Sequence, residues 1–187
     1  MAAEISFSEE IANLLYASEG KPISTCIQCG TCAGTCPAVE YMDHTPRVLI
    51  GMIGADLKDE VLASNTYWSC SSCYHCSARC PAGIDITGLM YGLKRYSMWK
   101  DRHAEDLIGP SFSESFVKMI MRTGRSFEPV LAPTYVTKYG TRQMFEEVRT
   151  ASALFFKGRM PLLPKRIKRL DNLRQMIRRI IPLGGSS

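Results

Sequence analysis

The sequence predicts a mainly α-helical chain in two parts: a cysteine-bearing body over residues 1–125 and a helical extension over 126–187 that ends in a basic amphipathic helix. Three observations lead there. Apolar residues recur at three- and four-residue steps at Ile11, Leu14 and Leu15 and again along the tail. Strand signals are scarce, with few alternating β-branched runs and no Asn-Gly turn. The third is a doubled cysteine pattern whose two copies are separated by 33 residues of helical character.

The elements follow in chain order. Ser8 is placed to cap a first helix over Glu9–Ser18, with Glu9 and Glu10 in its first turn, where they complement the helix dipole, and Gly20 as its stop. Thr45 before Pro46 reads as an N-cap with proline at the first helical position, opening a helix over Arg47–Ile53. Asp56–Ala63 makes another short helix. Asp85 caps a longer one, Ile86–His103, which Gly88 and Gly92 weaken. Phe112–Thr123 follows and ends near Gly124. Residues 125–140 hold Pro129, Pro133 and Gly140 and form an irregular connector. Arg142–Phe156 is helical, and Pro161 and Pro164 break the chain before the final segment.

The cysteine runs carry the chemistry. The first is Cys26, Cys29, Cys32 and Cys36-Pro37; the second is Cys70, Cys73, Cys76 and Cys80-Pro81. Both read C-x2-C-x2-C-x3-C-P, the bacterial ferredoxin signature for 4Fe–4S clusters. Three thiolates at steps of three sit on one tight loop and grip three irons. The fourth, one residue further on and followed by proline, is carried away from that loop; in two-cluster proteins it serves the other cluster. Cluster one then takes Cys26, Cys29, Cys32 and Cys80, and cluster two takes Cys70, Cys73, Cys76 and Cys36. That uses all eight cysteines and leaves no catalytic thiol. Gly30 and Gly34 would let backbone N–H groups approach the cluster sulfurs. Zinc is the competing ligand chemistry, but it needs four ligands per ion, normally as two separated C-x2-C pairs. The third cysteine and the Cys-Pro ending, present twice, argue against it. The helical stretch between the runs suggests the α-helical ferredoxin arrangement rather than the shorter, β-containing linker of small bacterial ferredoxins.

Composition narrows the function classes. Apolar residues make up 45% and charged residues 22%, an ordinary globular balance that excludes a wholly disordered chain. At 187 residues the chain is too short to be a large enzyme binding its own flavin, nicotinamide and substrate. It has no G-x-G-x-x-G, P-loop, H-E-x-x-H or G-x-S-x-G motif. The acidic N-terminus lacks the pattern of a secretory signal, and no run is apolar enough for a spanning helix. A cytoplasmic location is expected, where thiols stay reduced and a cysteine cluster points to metal rather than disulfides. His75, inside the second run, is read either as a tuner of that cluster or as a loop histidine near solvent. Trp68 and Tyr74 are read as packing that keeps water from cluster two.

The run from Trp68 to Pro81, WSCSSCYHCSARCP, the following Ile84-Asp-Ile-Thr87, and Met121-Arg-Thr-Gly124 resemble the C-type subunit of heterodisulfide reductase over about residues 20–125. The resemblance implies a non-catalytic electron-transfer subunit of a cytoplasmic complex. Its two 4Fe–4S clusters would stand between a flavin-containing, A-type protein and a catalytic, B-type protein that handles a disulfide or sulfur. The family's eight ligands map onto the eight cysteines above. No adjacent Cys-Cys pair occurs, which excludes the catalytic B-type role. The stretch from Phe155 to Pro164 looks more like bacterial versions, among them the heterodisulfide reductase-like complexes of sulfur oxidisers. The alternatives are an iron–sulfur subunit of another, quinone-linked dehydrogenase of the glycerol-3-phosphate type, and an iron–sulfur regulator that binds nucleic acid.

Charge sets the extension apart. Residues 151–187 carry nine basic side chains against one acid, while the rest of the chain is mildly acidic. Ile167, Leu170, Leu173, Ile177 and Ile180 or Ile181 form one apolar stripe with arginine and lysine on the other faces. Three partners suit it: the protein's own body or another protein of the complex, an anionic membrane surface touched peripherally, or, least favoured, nucleic acid.

Overall fold

A computed structural model describes residues 6–14, 21–104, 107–127, 148–149, 152–158 and 164–180. They form helices, turns and loops, with no strand among them. The chain divides into two compact units between Leu107 and Ile108. The sequence places that division after residue 125; the difference is one helix, Ile108–Thr123, which belongs to the second unit and pairs there with the tail helix.

The first unit opens with α1, Phe7–Leu14. Its cap is Ser6, not Ser8. The Ser6 hydroxyl accepts from the Glu9 N–H (3.3 Å) and the Glu9 carboxylate accepts from the Ser6 N–H (3.2 Å). The two orphan donors are satisfied reciprocally, as a capping box. The expected end of this helix at Ser18 and Gly20 lies outside the described residues. A short helical turn, α2 (Thr31–Gly34), precedes α3 (Pro46–Gly54), which begins where Thr45 and Pro46 predict; the Thr45 hydroxyl accepts from the Val48 N–H at 3.4 Å. Then comes α4, Lys58–Ala63, shorter than expected because Asp56 sits in the left-handed region (φ 60°). The Asp56 carboxylate is instead turned to the Phe7 N–H, 2.6 Å away.

After a second short turn, α5 (His75–Ala78), the long helix α6 runs over Ile86–Trp99. Asp85 caps it through the Gly88 N–H at 2.9 Å. Gly88 is therefore no defect: a Cβ there would lie 2.3 Å from the capping carboxylate. The helix stops short of His103 because Asp101 turns left-handed (φ 50°) just beyond its end.

The core of this unit is the meeting of α3, α4, α6 and α1. Leu49 and Ile53, Val61, and Leu89 and Leu93 are completely buried there. At its edge, the Glu10 carboxylate receives the Lys58 ammonium (2.7 Å) and the Tyr96 hydroxyl (2.5 Å), joining three helices through one acceptor oxygen. Phe7 stacks edge-on to Tyr96, with Lys58 over both rings. Burial opposes the charge on Glu10, but the bonds from Lys58 and Tyr96 prevail and hold its carboxyl below the usual value.

In the second unit α7, Ile108–Thr123, starts earlier than its expected Phe112. Pro110 is tolerated because it lies in the first turn, where an N–H has no helical partner. Gly124 ends the helix in the left-handed conformation (φ 81°). The tail helix α8, Leu170–Ile180, packs on α7. Arg166 and Arg174 donate to the carbonyls of Arg122 (3.3 Å) and Met121 (2.8 Å), and the Ile167 N–H donates to Thr123 (3.0 Å). These carbonyls are the ones a helix end leaves unpaired, and cations there suit the helix dipole. Leu170, on the apolar stripe, is buried. Of the expected helix Arg142–Phe156, residues 148–149 and 152–156 are helical; its other residues, and most of the connector at 125–140, lie outside the described residues.

Candidate metal centres

The sequence repeat is also a backbone repeat. Two residues after Cys26 and Cys70, Gln28 and Ser72 are left-handed (φ 56° and 58°). Just after Cys29 and Cys73, Gly30 and Tyr74 are left-handed too (φ 81° and 63°). Each run then enters one helical turn, α2 or α5. The amides of Thr35 and Arg79 close those turns onto Thr31 and His75, and the amides of Cys36 and Cys80 bond back to Ala33 and Ser77. The two turns pack against each other. That contact brings the end of each run to the loop of the other.

Two cavities result. One is lined by Cys26, Cys29, Cys32 and Cys80, with Arg47 and Ile84 on its wall. The other is lined by Cys36, Cys70, Cys73 and Cys76, with Tyr74 and Met90 on its wall. Each holds three cysteines of one run and the last of the other, so all eight predicted residues are brought together in two sets of four.

The surroundings bear on what these thiols hold. Burial pushes the Cys32 thiol up to about 11, with backbone bonding to Ala33 opposing and the Cys26 and Cys76 thiols adding to the rise. Burial also raises Cys36, and the nearby Cys76, Cys70 and Cys73 thiols add to it. Cys29, which is exposed, is lowered by its contact with the Thr31 hydroxyl. Four bare thiolates around one cavity repel one another, and a cationic group bound between them removes that cost. Among the described residues no three His, Cys, Asp or Glu side chains converge as ligands of a single metal ion. Four thiols set around each cavity, with no three of them converging on one point, would suit a multi-iron cluster better than one zinc ion.

A second layer supports the thiols. The Gln28 amide donates to the Cys26 sulfur at 3.6 Å, and the Ile84 N–H to the Cys80 sulfur at 3.4 Å. The Thr87 hydroxyl lies 3.7 Å from the Cys76 sulfur, and its N–H donates to Ser77 (2.9 Å), whose hydroxyl is 3.0 Å from the α6 cap Asp85. Lys94 donates to the Cys70 carbonyl (3.1 Å) from a position over the Trp68 and Tyr91 rings. Sequence reasoning missed Arg47, Thr87 and Lys94 as neighbours of the thiols. Thr87 stands in the quoted Ile84-Asp-Ile-Thr87 segment, but nothing local marks the other two. His75 heads α5 with its side chain exposed; Trp68 packs against the core.

Comparison with known proteins agrees with this geometry. A family model described as a 4Fe-4S dicluster domain matches residues 22–84. The chain is 33% identical over 85 residues to the C subunit of the H(2):CoB-CoM heterodisulfide,ferredoxin reductase of Methanothermobacter marburgensis, covering 46% of each chain. It is 36% identical over 93 residues to the C subunit of the ferredoxin:CoB-CoM heterodisulfide reductase of Methanosarcina mazei, covering 50% of this chain and 56% of that one. The corresponding C subunit of Methanosarcina acetivorans aligns over 155 residues at 25% identity, covering 80% and 61%. The chain thus spans about half the length of most of the curated relatives it matches.

Proposed function

We propose, from the premise that the chain is a 4Fe–4S dicluster protein like the C subunits of heterodisulfide reductases, that it carries electrons one at a time between partner proteins. The observation that carries this is the pair of four-thiol cavities, each drawing its fourth cysteine from the other run. Cys26, Cys29, Cys32 and Cys80 hold one cluster; Cys70, Cys73, Cys76 and Cys36 hold the other. The clusters supply one-electron acceptor sites. The protein fixes the distance between them by packing α2 on α5, and adjusts them through the amide, hydroxyl and lysine contacts around the sulfurs.

The partners proposed are a flavin-containing, A-type protein and a catalytic, B-type protein, because the relatives are the C subunits of heterodisulfide reductases. The Phe155–Pro164 stretch favours a bacterial, sulfur-oxidising type of complex. The cytoplasm is the proposed location; among the described residues no helix is long and apolar enough to cross a membrane.

The test is anaerobic purification, iron analysis and electron paramagnetic resonance. About eight irons per chain and two interacting signals are expected. Cys80→Ser should remove the same signal as Cys26→Ser, and Cys36→Ser the same signal as Cys70→Ser. If Cys80→Ser instead grouped with Cys70→Ser, or the metal were zinc, the assignment would be wrong. Co-elution of a flavoprotein from the native host tests the partner reading.

A further inference from the structure

The two runs share one backbone course but differ at a position where that course favours glycine. After Cys29 the chain carries Gly30 (φ 81°); after Cys73 it carries Tyr74 (φ 63°). A non-glycine residue held there is strained, and a bulky one is an outlier. Burial does not compensate, because Tyr74 remains 55% exposed. It does line the second cavity together with Cys36, Cys70, Cys73 and Cys76. Among the described residues, the first cavity has no aromatic side chain in its lining. A Cβ added to Gly30 would meet only the Arg47 side chain, at 3.7 Å.

Strain kept without burial, beside four thiols, points to a role at the cavity. Building on the two-cluster reading, we infer that Tyr74 is a solvent shield for the second cluster, lowering its reduction potential and its access to oxidants, with no counterpart at the first. The physical reason is charge. A cluster with four thiolates gains a negative charge on reduction, and water stabilises the more highly charged form. Excluding water makes reduction harder. The repeat thus builds two similar cages and makes them unequal through one side chain.

The test uses the full chain with both clusters loaded, and the variants Tyr74→Gly and Tyr74→Phe. Redox titration followed by electron paramagnetic resonance reads each potential, with Cys70→Ser identifying the second cluster's signal. Tyr74→Gly relieves the left-handed strain, so it should load the same iron and melt no lower than the parent. Its second cluster should titrate at a higher potential and be lost in air severalfold faster, with the first cluster unchanged. Tyr74→Phe keeps the ring and should match the parent.

Unchanged potentials and air lifetimes in Tyr74→Gly would overturn the inference. So would a shift confined to the first cluster, or equal shifts in both variants, which would place the effect in the hydroxyl. Anaerobic loss of the second cluster from a still-folded Tyr74→Gly would make the tyrosine a structural prop, and also overturns it. A parent chain without clusters would refute the two-cluster reading itself, an outcome read before any variant is made.

Discussion

Replacing Gly124 by alanine should loosen the tail from its own unit. Gly124 sits at φ 81°, where an L side chain costs about 1 kcal/mol. An added Cβ would also lie 2.4 Å from both Cγ1 and Cδ1 of Ile167 and 3.1 Å from its Cγ2. Since Cγ1 and Cγ2 branch from the same carbon, turning one away brings the other in, and the backbone must yield; overpacking of this kind costs about 1–3 kcal/mol. Together the penalty is about 2–4 kcal/mol. The amide of Ile167, bonded to the Thr123 carbonyl at 3.0 Å, reports opening of this contact by hydrogen exchange. Its protection should fall by roughly 30- to 700-fold, or to none where the parent's protection is smaller. In an Ile167→Ala background the clash is gone, and Gly124→Ala should cost only the backbone strain of about 1 kcal/mol. An equal cost in both backgrounds would refute the packing argument, and no cost in either would refute the docked tail.

Glu10→Gln should cost about 1–2 kcal/mol, because Lys58 and Tyr96 lose a charged acceptor. The folded carboxyl lies below its ordinary 4.5, so its contribution is present above that pH and fades as pH falls through the lowered value. Thermal melts of the variant should therefore converge on the parent's in acid; a constant gap down to low pH would count against the ion pair. Lys58 is raised, burial being outweighed by its bond to Glu10, so its share of the stability is lost only as pH rises through that raised value. Thr45→Ala removes the acceptor for the Val48 N–H and should lower stability to urea by about 1 kcal/mol. Lys94→Met removes a positive charge from the Cys70 carbonyl, so the second cluster should titrate at a lower potential while Lys94→Arg stays near the parent; no shift in either variant would mean that solvent screens the charge.

The parts legible in the sequence were those fixed by local chemistry. Cysteine spacing placed both loops, Thr45 before Pro46 placed a helix start, and Asp85 placed another. The exchange of the last cysteines was foreseeable because it follows from the spacing, and the structure brings those thiols to the opposite loops. The first cap was misplaced by two residues: Ser8 lies inside the helix, and only Ser6, just before it, has a glutamate three residues on. Gly88 looked like a weak point since its role depends on where Asp85 folds back. Tyr74 gave no local sign of a left-handed backbone; only its alignment with Gly30 hints at it. The Glu10, Lys58 and Tyr96 cluster joins residues distant in sequence, and periodicity is blind to such meetings.

The crossing of the cysteines between cavities also bears on timing during synthesis. Cys80 lies far along the chain from Cys26, so the first cage lacks a wall until the second run has left the ribosome. A group captured in either cavity would clasp the two runs together and cut the freedom of the unfolded chain, much as a covalent cross-link does. Neither set of four thiols is complete until both runs have been made, and a chain truncated between the runs would lack the Cys80 that closes the first set.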